Sequence, residues 1–383
     1  MDTDGILAGL QDISETFAKE RVARQRRSEL AASDFERLRR AGFLLSGVPV
    51  QYGGVWDSVE RSTRPVCEML RTLARGDSSV ALVCSMHPAV LSFWLTTPDV
   101  PPPHREAWEE QRREVFQTAL DGAWWGTITS EPGSGGDVAR TKATAQAGVR
   151  ALEYRLTGTK HFGSGSGISS YMITTAVPAG ESEPDWFYLD MRGARLDGSA
   201  GAKIVAEWDG HGMIATQSHA VMFEEFAATR FAWPGHLNET SQASGGVVGC
   251  LFTAVIVGIT EAAIETARLQ LAPRHGTLRP YEQVEWSQVE MEGWLIQQAY
   301  EGMLRAIEAG GGFPRDVLLG KTAIAELAES ALRRICRIIG GGTFNRLSPF
   351  GFWFEDVRAL GFLRPPWGLA YDRILEMVWP PES

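Results

Sequence analysis

Two glycine-rich loops, each at the end of a short strand-like run, constrain this chain more than any other feature. Residues 129–138 read Thr-Ser-Glu-Pro-Gly-Ser-Gly-Gly-Asp-Val. Three glycines, a proline and small hydroxyls make a close-approach loop, where peptide N–H groups and hydroxyls can press against a ligand. A strand-like run at Thr141 to Ala147 follows, and then a second loop, Tyr154-Arg-Leu-Thr-Gly-Thr-Lys-His-Phe-Gly-Ser-Gly-Ser-Gly167. Either loop alone reads as a turn. Together they predict a wall that lines one flat, polar ligand.

The flanking texture predicts three segments. Up to residue 122 the pattern is helical: Ile6, Leu10, Ile13 and Phe17 recur at spacings of three and four. Ser33 followed by Glu36 reads as a helix cap. Residues 123–233 hold short β-branched and aromatic runs, such as Trp125-Gly-Thr-Ile-Thr129 and Tyr171 to Val177, separated by Gly, Pro and Asp. Residues 234–383 are helical again, through Leu271, Glu282 to Glu308, Asp316 to Ile339, and Gly351 to Met377. Gly249, Ala254, Gly258 and Ala262 form a small-residue stripe that predicts tight helix packing.

A chain of 383 residues with 44% hydrophobic and 22% charged residues reads as soluble and multidomain. Its net charge of −10 argues against nucleic acid or an anionic membrane as partner. Cys67, Cys84, Cys250 and Cys336 lack metal-site spacing and read as reduced residues of a cytoplasmic protein, with no metal site. The most apolar run, Val247 to Ile259, is about 13 residues, short of the ~20 that span a bilayer.

The two loops, in this order and spacing, resemble the acyl-CoA dehydrogenase superfamily of flavoproteins, which carries a Thr-Glu-Pro-Gly-x-Gly-Ser-Asp loop and a later Gly-x-Lys segment. The resemblance continues through Leu38-Arg-Arg-Ala-Gly-Phe43, Tyr52-Gly-Gly, Gly212-Met-Ile-Ala-Thr-Gln-Ser-His-Ala-Val-Met-Phe-Glu224, Ile339-Gly-Gly-Gly-Thr-Phe344 and Glu355-Asp-Val-Arg358. It implies an α+β fold: an N-terminal helical domain (1–122), a middle β-barrel-like domain (123–233) and a C-terminal four-helix bundle (234–383). It also implies FAD, and a homodimer or homotetramer. Thr127, Thr129 and Ser130 then line the flavin, Ser164 meets its N5, and Phe162 packs beside the ring. Arg274 and the Gly340, Gly341 and Gly342 turn then serve the ADP half of FAD, with Arg279 and Arg230 as competing cations.

The resemblance also exposes a departure. The family's general base is a carboxylate eight residues past the Asp that matches Asp356, and here that position is Arg364. A guanidinium cannot accept a proton near neutral pH. The family's other base position falls near Val248, also without a carboxylate. Glu355, Asp356 and Asp372 are the stand-ins. Two-component flavin monooxygenases of the same superfamily use reduced flavin and oxygen, and their loop resembles Gly158-Thr-Lys-His-Phe-Gly-Ser-Gly165. They also carry an early helical His, matched by His87. Three readings stand: an FAD-dependent oxidoreductase acting on an acyl thioester, linked to coenzyme A or a carrier protein, with Arg364, Ser164 and His87 as catalytic candidates; a flavin monooxygenase; and a non-catalytic FAD-binding subunit.

Overall fold

The computed structural model describes residues 2–97, 99–310, 315–363 and 365–379. Its first part is helical: α1 (Thr3–Lys19), α2 (Arg21–Arg24), α3 (Ala32–Arg40), α4 (Val59–Gly76), α5 (Ser78–Thr96) and α6 (Pro102–Leu120). Asp2 caps α1 by accepting from the Gly5 N–H at 2.9 Å. The Ile6, Leu10, Ile13 and Phe17 stripe is buried, as its period requires. Ser33 is not a cap. Helix α3 begins two residues earlier than that cap implies, at Ala32 behind Ala31, and Ser33 is exposed. Asp34 of that turn faces inward instead, at 2.7 Å from Arg24, which also binds Asp77 at 2.7 Å. Asp77 uses its other oxygen to cap α5 through the Val80 N–H at 3.0 Å.

The middle part carries β1 (Trp125–Thr127), β2 (Thr144–Ala147), β3 (Glu153–Gly163), β4 (Tyr171–Pro178), β5 (Asp185–Asp190), β6 (Ala202–Ala206) and β7 (His219–Arg230). The pairings run β4–β2–β3–β7–β5 and return to β4, so five strands close on themselves. Strand β1 lies parallel on β4, with Thr127 opposite Ile173, and β6 lies antiparallel on β7. Ile128, Ala145, Leu156, Met172, Phe187, Leu189, Val221 and Phe223 fill the interior. Two register shifts interrupt the β3–β7 ladder, one of them between Lys160 and Gly163.

The last part is helical: α7 (Leu237–Leu271), α8 (Pro280–Glu308), α9 (Arg315–Ile339), α10 (Pro349–Gly361) and α11 (Trp367–Val378). The apolar run at Val247 to Ile259 is the centre of the 35-residue α7. Helices α5 and α7 are long and apolar enough to cross a membrane, but both are almost wholly buried in the fold. The small-residue stripe does what its composition predicts. A Cβ on Gly258 would lie 2.2 Å from the Arg71 carbonyl oxygen of α4, and one on Gly249 would lie 3.0 Å from Val317 of α9. The helix expected over Gly351 to Met377 is broken in two. Pro365 and Pro366 remove two backbone donors there and reset the direction of the chain.

Candidate functional site

Beyond β1 the backbone continues its pairing, and the Ile128 N–H donates to the Ile173 carbonyl at 2.9 Å. The chain then crosses to β3, where the His161 N–H donates to the Ser130 carbonyl at 2.8 Å. Thr129 and Ser130 are thereby set beside residues 161–164, and the two glycine-rich loops form one wall.

A buried ion pair fixes this junction. Glu131 turns inward and accepts from Lys160 Nζ at 2.5 Å, from the Lys142 N–H at 2.7 Å and from the Thr141 hydroxyl. Lys160 also donates to Thr141 Oγ1 at 2.9 Å and to the Thr175 carbonyl at 2.6 Å. The two side chains are 0% and 5% exposed. Burial alone pushes the Glu131 carboxyl up. Lys160, Thr141 and the peptide N–H outweigh it and hold the group below the usual carboxylate range. Residues 133–136 are the turn of this loop. Gly133, Gly135 and Gly136 all adopt positive φ, and a Cβ on Gly136 would sit 2.8 Å from Pro366.

The register shift in β3 re-aims the second loop. Phe162 takes φ 57° and stands 57% exposed, edge-on to Trp208 at 6.0 Å. Among the described residues, three of the five non-glycine positions with positive φ are Phe162, Met213 and Gln217, all in this neighbourhood. Ser164 is 7% exposed and its hydroxyl is 2.8 Å from Ser218 Oγ. Gly163 and Gly165 are required by close approach: an added Cβ would lie 2.7 Å from Ile128 Cδ1 and from Val83 Cγ1, respectively. Thr127 turns its hydroxyl toward Met86 of α5 at 3.6 Å, so its side chain faces that helix.

His87 is corrected by its surroundings. It is fully buried, with Nε2 3.0 Å from the Leu44 carbonyl and Nδ1 accepting from the Trp125 N–H at 3.2 Å. Both ring nitrogens are committed, and the donor–acceptor pair fixes the neutral Nε2–H tautomer. Burial, against the Leu44 bond, lowers its pKa to about 4. His87 ties α5 to the backbone at Leu44 and to β1; it has no nitrogen left for a substrate.

Two of the three stand-in carboxylates are also committed. Asp356 is 5% exposed; it accepts from the Met213 N–H at 2.7 Å and from the Ser78 hydroxyl. Burial pushes its carboxyl up, and these bonds hold the rise to about 6. Glu355 pairs with Arg358 at 2.9 Å, and Asp372 is solvent-exposed on α11. Val248 packs against the helical core. Arg364 lies outside the described residues. Its flank is held: Lys321 of α9 is 2% exposed and donates to the Pro365 carbonyl at 2.6 Å, with burial lowering its pKa to about 8.

The structure brings Arg274 to the end of α9, where Nη2 donates to the Ile338 carbonyl at 3.0 Å, beside the Gly340 turn with φ 89°. Arg230 is removed as a phosphate candidate, because it is buried against Asp185 at 2.7 Å and Glu181 at 2.6 Å. Sequence reading missed the Lys160–Glu131 pair, Trp208, Thr216 and Ser218. A signal existed for the pair: each motif holds one charged residue of opposite sign among glycines and hydroxyls.

No protein-family model matches the chain. It is 26% identical to a dibenzothiophene monooxygenase of Mycolicibacterium goodii over 64% of this chain and 58% of that protein. It is 24% identical to an indole-3-acetate monooxygenase of Acinetobacter baumannii, over 85% and 81%. It is 23% identical to the acyl-CoA dehydrogenase homologue YdbM of Bacillus subtilis, over 92% and 91%. Among solved structures, FMN-bound TdsC of Paenibacillus sp. A11-2 superposes with a TM-score of 0.76 at 18% identity, covering 98% of this chain and 97% of that one. KijD3, solved with FMN and an amino-keto sugar nucleotide, gives 0.79 at 20% identity, covering 99% and 93%. These solved structures share the fold of this chain, and the order of its motifs resembles that of the acyl-CoA dehydrogenase superfamily.

Proposed function

We propose that this chain is a flavin-dependent monooxygenase that receives reduced flavin and oxygenates a small organic substrate. The observation that carries the reading is the clamped wall, in which Thr129, Ser130, Phe162 and Ser164 are gathered by the Ser130–His161 bridge and the Lys160–Glu131 pair. A flat heteroaromatic ring needs an apolar face and a polar edge, and this wall offers both: the exposed Phe162 ring for the face, hydroxyls and peptide groups for the edge. Reduced flavin, when bound, supplies the electron pair that splits O2, one oxygen atom passing to the substrate and the other leaving as water.

The chain's own residues hold and orient. With flavin bound, Thr129 and Ser130 would serve its polar edge, Phe162 its ring face and Ser164 its N5. The Glu131–Lys160 pair keeps these groups in register without being consumed. Arg274 and the Gly340–Gly342 turn are the residues for a nucleotide phosphate, where a guanidinium fork and open backbone suit an anion. Two relatives named as monooxygenases support oxygenation over dehydrogenation. So does arginine at position 364, where α-proton abstraction needs a carboxylate. The protein is expected to act as a homodimer or homotetramer in the cytoplasm.

The test is anaerobic titration of the purified protein with oxidised and reduced FMN and FAD, followed by mixing the reduced complex with oxygenated buffer and a panel of aromatic and amine substrates. A product heavier by one oxygen atom is the expected outcome. Rapid anaerobic bleaching of bound FAD by acyl thioesters would overturn the reading in favour of dehydrogenation. Flavin bound with no turnover of either kind would favour a non-catalytic subunit.

A further inference from the structure

A chain of three buried hydroxyls ends at Ser164. Thr216 Oγ1 lies 2.8 Å from the Met213 carbonyl and 2.7 Å from Ser218 Oγ; Ser218 Oγ lies 2.8 Å from Ser164 Oγ. Thr216, Ser218 and Ser164 are 0%, 6% and 7% exposed. A carbonyl only accepts, and each hydroxyl has one hydrogen. Thr216 therefore gives its hydrogen to Met213. The reverse direction would leave two oxygens facing each other at 2.8 Å with no hydrogen between them. With its hydrogen spent, Thr216 accepts from Ser218, and Ser218 in turn accepts from Ser164. The carbonyl that starts the chain is fixed: it also takes the Trp208 indole N–H at 2.9 Å and the Thr216 N–H at 3.1 Å, while the Met213 N–H is held by Asp356 at 2.7 Å.

The Ser164 hydroxyl thus has its hydrogen turned away and its lone pairs left for a ligand. Flavin N5 is an acceptor when oxidised and carries N5–H, a donor, when reduced. Resting on the flavin reading above, we infer that Thr216 and Ser218 are positioning residues that lock Ser164 as an acceptor, so that the site prefers reduced over oxidised flavin. The direction of one hydrogen bond favours one oxidation state of the same flavin over the other.

The test measures, anaerobically, the ratio of dissociation constants for oxidised and dithionite-reduced FMN and FAD, and the midpoint potential of the bound flavin. Wild type is expected to bind the reduced form more tightly. Ser218→Ala frees the Ser164 hydrogen to serve oxidised N5, and the ratio should fall roughly fivefold to tenfold, mainly through tighter oxidised binding. A tenfold fall equals a potential lower by about 30 mV for a two-electron couple. Thr216→Val should act in the same direction, and Thr216→Ser, which keeps the hydroxyl, should restore the wild-type ratio. Should Thr216→Val not fold, Ser218→Ala decides alone. A folded wild type that binds neither oxidation state overturns the flavin reading and this inference with it. Flavin binding with no reduced-state preference, or with a ratio that Ser218→Ala leaves unmoved, overturns the inference alone.

Discussion

Lys160→Met should be among the costliest single substitutions in the middle of this protein. The methionine fills the buried volume but removes three bonds, to Glu131 at 2.5 Å, Thr141 at 2.9 Å and Thr175 at 2.6 Å. Removing one partner of a buried pair costs about 3–5 kcal/mol. Glu131 keeps the Thr141 hydroxyl and the Lys142 and Ala143 N–H groups, which favours the lower end. The Thr175 carbonyl loses a donor, worth about 1 kcal/mol. The expected loss is about 3–4 kcal/mol, read as a shift of the urea midpoint by tryptophan fluorescence. Lys160→Met with Glu131→Gln removes the stranded charge and should recover about 2 kcal/mol of it. The sign with pH follows. In wild type the Glu131 carboxyl is held low, so its contribution is present above the usual carboxylate pKa and is lost as pH falls through the lowered one. Without Lys160, burial raises the same carboxyl. The variant's deficit should then be full above that raised pKa and shrink as pH falls toward about 4. A double variant no more stable than the single one, or a deficit independent of pH, would refute the clamp.

His87 folds neutral, with a pKa near 4 against an ordinary value of about 6.5, so stability should be full above pH ~6.5 and fall by about 3 kcal/mol by pH ~4. His87→Gln should flatten that acid limb in urea midpoints taken across pH, and an unchanged profile would speak against it. Gly258→Ala drives a methyl against the Arg71 carbonyl and should cost about 1–3 kcal/mol by the same midpoint; a neutral effect would mean that α4 and α7 part easily. Arg274→Ala should weaken FAD more than FMN, since only FAD carries the ADP half; equal losses by calorimetry would remove Arg274 from nucleotide recognition.

The sequence showed the fold well where patterns are local. The period of Ile6, Leu10, Ile13 and Phe17 predicts α1 and its buried face, and the small residues at 249 and 258 predict close crossings that the backbone then makes. It showed less where the deciding partner is distant in the chain. Ser33 looked like a cap because local spacing ignores Arg24 and Asp77, which draw Asp34 inward and start the helix earlier. His87 looked reactive because a lone histidine carries no mark of its partners, here the Leu44 carbonyl and the Trp125 N–H. Phe162 and Ser164 were named for the site, but the hydroxyl chain behind Ser164 joins residues 164 and 218, which no spacing rule connects.

The close approach of Gly136 to Pro366 has a bearing on how this site can diversify. The loop that opens the first motif and the turn between α10 and α11 occupy the same few ångströms, though about 230 positions of chain separate them. Neither can gain bulk without the other giving way. Across a set of natural variants these two stretches should therefore change in step, while position 136 itself stays glycine because its φ is positive. Evolution on this scaffold would remodel the rim of the site as a coupled pair of segments while the hydroxyl-lined floor stays as it is.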